Sequence, residues 1–421
     1  MSTDHYDTLE TRDPQQREEQ LLQALPRQIE QAQRRAPAMA AVLHGVDARD
    51  VTSRAALARL PVTRKHDLME RQKARRAQDP FGGHSAIGWR ATGAGSGAAR
   101  VFQSPGGLYE PEGRAPDYWR MARAIFAAGF RHGDLAHNSF SYHLTPAGSM
   151  METGAQAVGC TVFPGGVGNT ELQLQAMHDL RPDGYLGTPS FLKILLDKAV
   201  ESGQPLPHLR KALVSGEAFP PSLQQAFKQQ GVDGYQCYAT ADLGLIAYET
   251  PAREGLVLDE QIIVEIVRPG TGEPVSDGEV GEVVVTTLNP DYPLIRFGTG
   301  DLSAVLPGRC PTGRTHTRIK GWMGRADQTT KVRGMFVHPS QVAEVVGRHP
   351  ELKRARLVVS GAMAQDRMTL HAEVEGTPEG LGQRVADSVR DVTKLRCDVQ
   401  FLAPGSLPND GKVIEDARSY E

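Results

Sequence analysis

The chain has 421 residues, too many for one ordinary domain, so two or three domains are expected. It is 39% hydrophobic and 23% charged, as a globular protein is, and 47 basic against 50 acidic residues leave no basic excess to draw in nucleic acid. Four scattered cysteines without CxxC spacing argue against a disulfide framework. No apolar run reaches the roughly 20 residues that span a bilayer. The polar start MSTDHYDTLETRD does not read as a signal peptide, so a reducing, cytoplasmic setting without a membrane is expected.

Residues 14–44 carry Leu21, Leu22, Leu25, Ile29 and Ala32 at helical spacing, which predicts an amphipathic helix, kinked or broken at Pro26. Its polar face mixes charge signs, against a membrane-surface helix. In LARLPVTRKHDL, Pro61 and Thr63 predict a helix start. Residues 80–100 are Gly-rich, but no lysine follows GAGSG and no apolar strand clearly precedes it, so they read as a loop. The better phosphate-loop candidate is RVFQSPGGLYEPEG, where a short strand at Val101 and Phe102 runs into Ser104-Pro105-Gly106-Gly107. Asp117–Gly129 predicts a helix closed by Gly129.

From His132 onward, strand, loop, helix and strand alternate, the βαβ rhythm of a parallel sheet covered by helices. The loop Phe140–Gly148 lies at a strand-to-helix junction, where open α/β sheets place their ligands. Tyr142 and His143 stand in this loop, and His143 reads equally as a satisfied or solvated histidine. Strand Leu209–Val214 ends at SGEAFPPS, and a helix begins near Pro221. In GYQCYATADLG, Tyr238 is either a core aromatic with Asp242 capping a helix, or both belong to a site. Residues 262–287 read as strand, turn and strand.

A strand at Leu294–Phe297 is predicted to end in a tight turn, Gly298-Thr299-Gly300, that presents Asp301. A carboxylate held there is placed to take two hydrogen bonds from the vicinal hydroxyls of a ribose. Arg325 and Asp327 follow on a short turn before a β-type run, Thr329–Val332; the plain alternative makes them surface charges. After Gly334 the composition is that of a compact α+β unit able to fold alone. It ends in PGSLPNDGK, which puts Lys412 after Gly411 on a turn.

Together, in this order, TGDL and GRAD resemble the adenylate-forming enzymes, and PLIRFGTGDL resembles their phenylacetate–CoA ligase branch. LPVTRKHDL, YATAD and GSLPNDGK extend the likeness from Leu60 to Lys412. The resemblance implies an α/β multidomain protein of the adenylate-forming fold. A large N-terminal AMP-binding domain is expected over 1–323, with a β-rich subdomain at about 255–320, and a small mobile α+β lid over 324–421.

The same resemblance implies that an aryl or arylacetic carboxylate attacks Mg·ATP to give acyl-AMP, and that coenzyme A then displaces AMP. By that likeness, Asp301 holds ribose, the Tyr238 ring packs on adenine beside Ala239, Thr240 meets the α-phosphate and Asp242 helps hold magnesium. Ser104 and Gly106 cradle phosphates, and Gly216 and Glu217 also belong to the nucleotide site. Tyr142 and His143 line the acyl pocket, Arg325 binds ribose or phosphate, Asp327 is the hinge, and Lys412 serves adenylation. The family also implies a homodimer. ATP, magnesium and coenzyme A are the expected cofactors, and a small-molecule carboxylate the partner.

Several positions depart from the family pattern. Glu110 stands where the phosphate loop has a lysine, Leu108 and Tyr109 replace hydroxyl positions, Ala239 replaces Gly, and Asp242 replaces Glu. The zinc-binding CxCG turn is reduced to CPTG, and GLH to Gly255-Leu256-Val257, so no structural zinc is expected and Cys310 and His316 read as loop residues. Two alternatives stay open: transfer to an acceptor other than coenzyme A, and a nucleotide-binding homologue that has lost adenylation.

Overall fold

Helix α1 (Pro14–Arg35) runs unbroken through Pro26, and the chain breaks instead at Ala36, before α2 (Pro37–Val42). Asp13 caps α1 by accepting from the N–H groups of Gln15 and Gln16. Leu21, Leu25, Ile29 and Ala32 form one buried stripe. That burial offsets the roughly 3 kcal/mol an interior proline costs.

The computed structural model describes residues 4–90, 97–104, 106–268, 271–326, 330–337, 339–361, 366–376, 379–407 and 413–418. These fall into two compact units, Met1–Met323 and Gly324–Glu421. In the first unit, α3 (Arg54–Ala58) leads to β1 (Thr63–Arg64) and α4 (Lys65–Arg75). A hairpin follows, β2 (Arg100–Ser104) and β3 (Leu108–Glu112), then α5 (Ala122–Ala127). Helix α5 is shorter than the predicted 117–129 because Asp117 and Arg120 have φ of +47° and +64°. Asp117 accepts instead from the N–H groups of Met121 and Ala122 and so sets the start of the helix.

The alternating region forms as predicted: β4 (Leu135–Asn138), α6 (Ala147–Val158), β5 (Thr161–Pro164), α7 (Thr170–Leu180), β6 (Gly184–Gly187), α8 (Pro189–Glu201), β7 (Lys211–Val214), α9 (Pro221–Gln229) and β8 (Asp233–Thr240). Then come β9 (Gly244–Glu249), β10 (Leu256–Leu258), β11 (Ile262–Val267), β12 (Gly281–Thr287), β13 (Phe297–Ser303), β14 (Val305–Leu306) and β15 (Arg318–Ile319).

Among the described residues, nine strands form one sheet in the order β14-β15-β10-β9-β8-β7-β6-β4-β5. The pairs from β8 to β5 are parallel and those from β8 to β14 antiparallel. A second sheet has the order β1-β13-β12-β11, with β1 parallel to β13. The stretch read as one β-rich subdomain is thus divided between the two sheets. One apolar cluster joins them, with Leu243, Ile246 and Leu256 from one side and Ile262, Val283 and Phe297 from the other.

The second unit holds a hairpin of β16 (Thr330–Val332) and β17 (Met335–Val337), then α10 (Pro339–Arg348), β18 (Leu352–Ser360), β19 (Arg367–Val374), α11 (Leu381–Thr393), β20 (Asp398–Leu402) and β21 (Ile414–Asp416). Its main sheet has the order β20-β19-β18-β21. Val345, Leu357, Leu370, Val385 and Val389 belong to its core. Asp327 and Lys412 lie outside the described residues. No described helix is long and apolar enough to cross a membrane.

Candidate active site

Strand β1 brings the TRKHD stretch to the strand that bears Asp301: Thr63 pairs with Phe297 and Arg64 with Gly298. Arg296 secures this approach. Its buried guanidinium donates to Glu265 Oε2 (2.9 Å), to the carbonyls of Ala58 (2.8 Å) and Gly272 (2.7 Å), and to that of Leu60. Helix α4 starts at Lys65, later than the predicted start at Pro61 and Thr63, because Thr63 and Arg64 are drawn into the sheet.

Helix α4 carries the β2–β3 hairpin. The Gln72 amide is buried and trades two 2.8 Å hydrogen bonds with the backbone of Tyr109. Arg76 donates to the Gly107 carbonyl at 3.0 Å. Gly106 has φ +95°, and a Cβ there would lie 2.6 Å from Met69 Cε, so a glycine fits this turn against the helix.

The hairpin places Glu110 on β3, pointing inward and fully buried, not in the turn that its position in the motif implies. Ser104 Oγ donates to Glu110 Oε1 at 2.7 Å. Lys65 Nζ donates to Ser104 Oγ at 3.2 Å and to Asp242 Oδ2 at 3.1 Å. Burial first, and the charge of Asp242 second, hold Glu110 well above the usual carboxylate range; Lys65 and Ser104 oppose this. Glu110 Oε2 and Asp242 Oδ1 are buried and find no donor among the described residues. Asp242 lies in the turn between β8 and β9, and no helix follows it, which removes the helix-cap reading.

Tyr238, on β8, donates its hydroxyl to Asp301 Oδ2 at 2.8 Å. Asp301 lies inside β13, so the predicted turn at 298–300 is a bulge: the pairing slips between Val284↔Gly298 and Glu282↔Leu302, and Gly300 has φ +73°. Thr299 Oγ1 donates to the Val283 carbonyl (2.9 Å) and accepts from the Asp301 N–H (3.1 Å), which fixes the bulge. Asp301 Oδ1 accepts from Trp322 Nε1 at 3.1 Å. Strand β8 also bulges between Tyr238 and Ala239; Ala239 and Thr240 are half-buried, and Thr240 Oγ1 accepts from the Leu243 N–H at 3.1 Å.

Gly216 and Glu217 are exposed on the loop after β7, where Glu217 Oε2 accepts from the Ser190 N–H at 3.3 Å. Tyr142 sits where β4 gives way to α6. Its hydroxyl accepts from Asn138 Nδ2 at 2.7 Å, and its ring lies against Gly148, where a Cβ would be 2.9 Å from Cγ. Burial and Glu152 push the Tyr142 hydroxyl up from its ordinary range. His143 is exposed. Arg325 follows Gly324, the first residue of the second unit, and is half-buried.

Two groups therefore meet at the end of β8. Lys65, Ser104, Glu110 and Asp242 form one, and Tyr238, Asp301 and Trp322 the other. Sequence reasoning passed over Lys65 and Trp322; the signal for Lys65 was the lysine of LPVTRKHDL itself.

Cys310 and His316 lie in an irregular segment, as expected, but both are buried. Cys310 Sγ lies 3.0 Å from Thr312 Oγ1, and His316 Nδ1 accepts from the Thr317 N–H at 2.8 Å. Burial, and then Arg17, hold the His316 imidazole well below its ordinary value. The described residues contain no cluster of three or more His, Cys, Asp or Glu able to hold a metal ion.

An AMP-binding enzyme family matches residues 137–289. A phenylacetate–coenzyme A ligase of Aromatoleum evansii is 32% identical over 347 residues, covering 78% of this chain and 75% of that protein. One from Thermus thermophilus is 29% identical over 400 residues, covering 86% and 87%. Among solved structures, 2-hydroxyisobutyryl-CoA ligase in complex with 2-HIB-AMP and CoA superposes with a TM-score of 0.81 at 23% identity, covering 99% of this chain and 93% of that one. The fold is thus that of the adenylate-forming ligases.

Proposed function

Because the chain belongs to the phenylacetate–coenzyme A ligase family of AMP-forming ligases, we propose that it joins an arylacetic or aryl carboxylate to coenzyme A through an acyl-adenylate. One observation carries this reading: the Asp301 carboxylate on the Tyr238 hydroxyl lies at the same strand end as the Lys65 ammonium that bridges Ser104 and Asp242.

On this reading Asp301 accepts from the ribose hydroxyls. The Tyr238 ring backs the adenine next to Ala239, with Gly216 and Glu217 on the facing loop. Lys65 supplies the positive charge that the loop at Ser104–Gly107 lacks, since its lysine position is Glu110. Glu110 repels phosphate little while it holds its proton. Thr240 faces the α-phosphate. Asp242 offers carboxylate oxygen, the donor type magnesium takes alongside ATP phosphates, and its buried Oδ1 finds no donor among the described residues. Bound with ATP, magnesium neutralises phosphate charge.

A carboxylate oxygen of the acid attacks the α-phosphorus, the bond to the bridging oxygen breaks, and pyrophosphate leaves. Lys412 neutralises the charge that builds in this step. The coenzyme A thiolate then attacks the acyl carbonyl carbon, AMP leaves, and the thioester remains. The second unit turns about Asp327 between the two steps, with Arg325 on the nucleotide, and excludes water from the adenylate. Tyr142, held by Asn138, borders the acyl pocket, with His143 at its rim. The setting is cytoplasmic, where ATP and coenzyme A are at hand, and the assembly is a homodimer.

Purified protein with phenylacetate, Mg·ATP and coenzyme A is expected to form AMP, pyrophosphate and phenylacetyl thioester in equal amounts. Adenylation followed by amide formation, with no thioester, would move the acceptor to an amine. AMP binding without pyrophosphate exchange for any aryl acid would overturn the reading in favour of a nucleotide-binding homologue.

A further inference from the structure

We propose that Trp322 latches the nucleotide site: its indole N–H occupies Asp301 and is displaced when a ribose binds. This rests on the reading of Asp301 as the ribose acceptor. The two oxygens of that carboxylate each carry a donor from the protein itself, the Tyr238 hydroxyl on Oδ2 and the Trp322 indole on Oδ1. A vicinal diol brings two further donors to the same two oxygens, so it competes most with the donor that is less firmly held.

The two donors differ in how firmly they are held. Tyr238 projects from β8 into the cluster that joins the sheets. Trp322 is 43% exposed, on an irregular stretch just after β15. The backbone on either side of it is fastened to the neighbouring strand segment. Lys320 N–H donates to the Ala304 carbonyl (2.9 Å), Met323 N–H to the Leu302 carbonyl (2.9 Å), and Ser303 Oγ to the Gly321 carbonyl (2.6 Å). An indole that turns away from Asp301 can thus leave this main chain in place. Trp322 is the donor that yields, and Tyr238 stays to orient the carboxylate.

Calorimetric titration with AMP tests this. Trp322→Phe keeps an aromatic ring but no N–H, and should bind AMP about 3- to 10-fold more tightly than the parent protein, at an unchanged melting temperature. Equal or weaker binding by a folded Trp322→Phe protein overturns the latch. Fluorescence of the unaltered protein gives a second arm that needs no folded variant: AMP should shift the emission of the exposed indole, and an unchanged spectrum at saturation also overturns it. Asp301→Ala separates the two ideas. If it binds AMP as the parent does, the ribose reading fails and the latch with it; if it loses AMP while Trp322→Phe gains nothing, only the latch fails.

Discussion

Without the Arg296 guanidinium, Glu265 would be a buried carboxylate deprived of its ion-pair partner, and the carbonyls of Ala58 and Gly272 would lose their donor. Arg296→Met is expected to cost about 3–5 kcal/mol, read as a lower denaturation midpoint at unchanged slope. Lys65 differs in kind, because its side chain is partly exposed and it bridges Ser104 and Asp242 at the proposed phosphate site. Lys65→Met should lower pyrophosphate exchange about 10²-fold and leave the melting temperature nearly unchanged; a loss of melting temperature with full exchange would make Lys65 structural only. Asp117 gives a pH signature. Burial pushes it up to about 6 from an ordinary 3.8, so it favours the folded state fully below the lower value and progressively less as pH rises through the higher one. Relative to wild type, Asp117→Asn should therefore gain about 2 kcal/mol of stability between pH 4 and pH 7. A difference that does not vary with pH would contradict this.

At the scale of elements, the hairpin depends on α4 more than on its own turn. Gln72→Leu removes both bonds to Tyr109 and should cost about 1–3 kcal/mol, with faster hydrogen exchange in β3 than in α4. Much of this level was legible in the sequence. IIVEIV and VVVTT form β11 and β12, and the alternating strands and helices from β4 to β8 form where their pattern predicts. The failures have local physical causes. Pro26 did not end α1 because the buried stripe on both sides of it outweighs one missing hydrogen bond. Helix α5 starts late because two residues adopt left-handed backbone, a choice composition does not announce. The TGDL stretch is a bulged strand because a partner strand, β12, continues alongside it.

Over the whole molecule, the site is built from contacts the sequence keeps far apart. Lys65 meets Asp242 across 177 positions and Tyr238 meets Asp301 across 63, both set by how two sheets join. Motif order could mark Tyr238, Asp242 and Asp301 but not show which side chains touch, which is why Lys65 and Trp322 emerged only from the fold. The division into two units bears on the two half-reactions. Lys412→Ala should lower adenylation about 10²- to 10³-fold while keeping thioester formation from supplied phenylacetyl-AMP and coenzyme A; equal loss in both half-reactions would assign Lys412 to something other than the first step. The account as a whole stands on Asp301. Phenylacetate-dependent exchange of labelled pyrophosphate into ATP, compared between the protein and its Asp301→Ala variant at equal melting temperature, probes it most directly. The expected result is ready exchange by the first and a loss of about 10²-fold or more in the second; equal rates in both would contradict it.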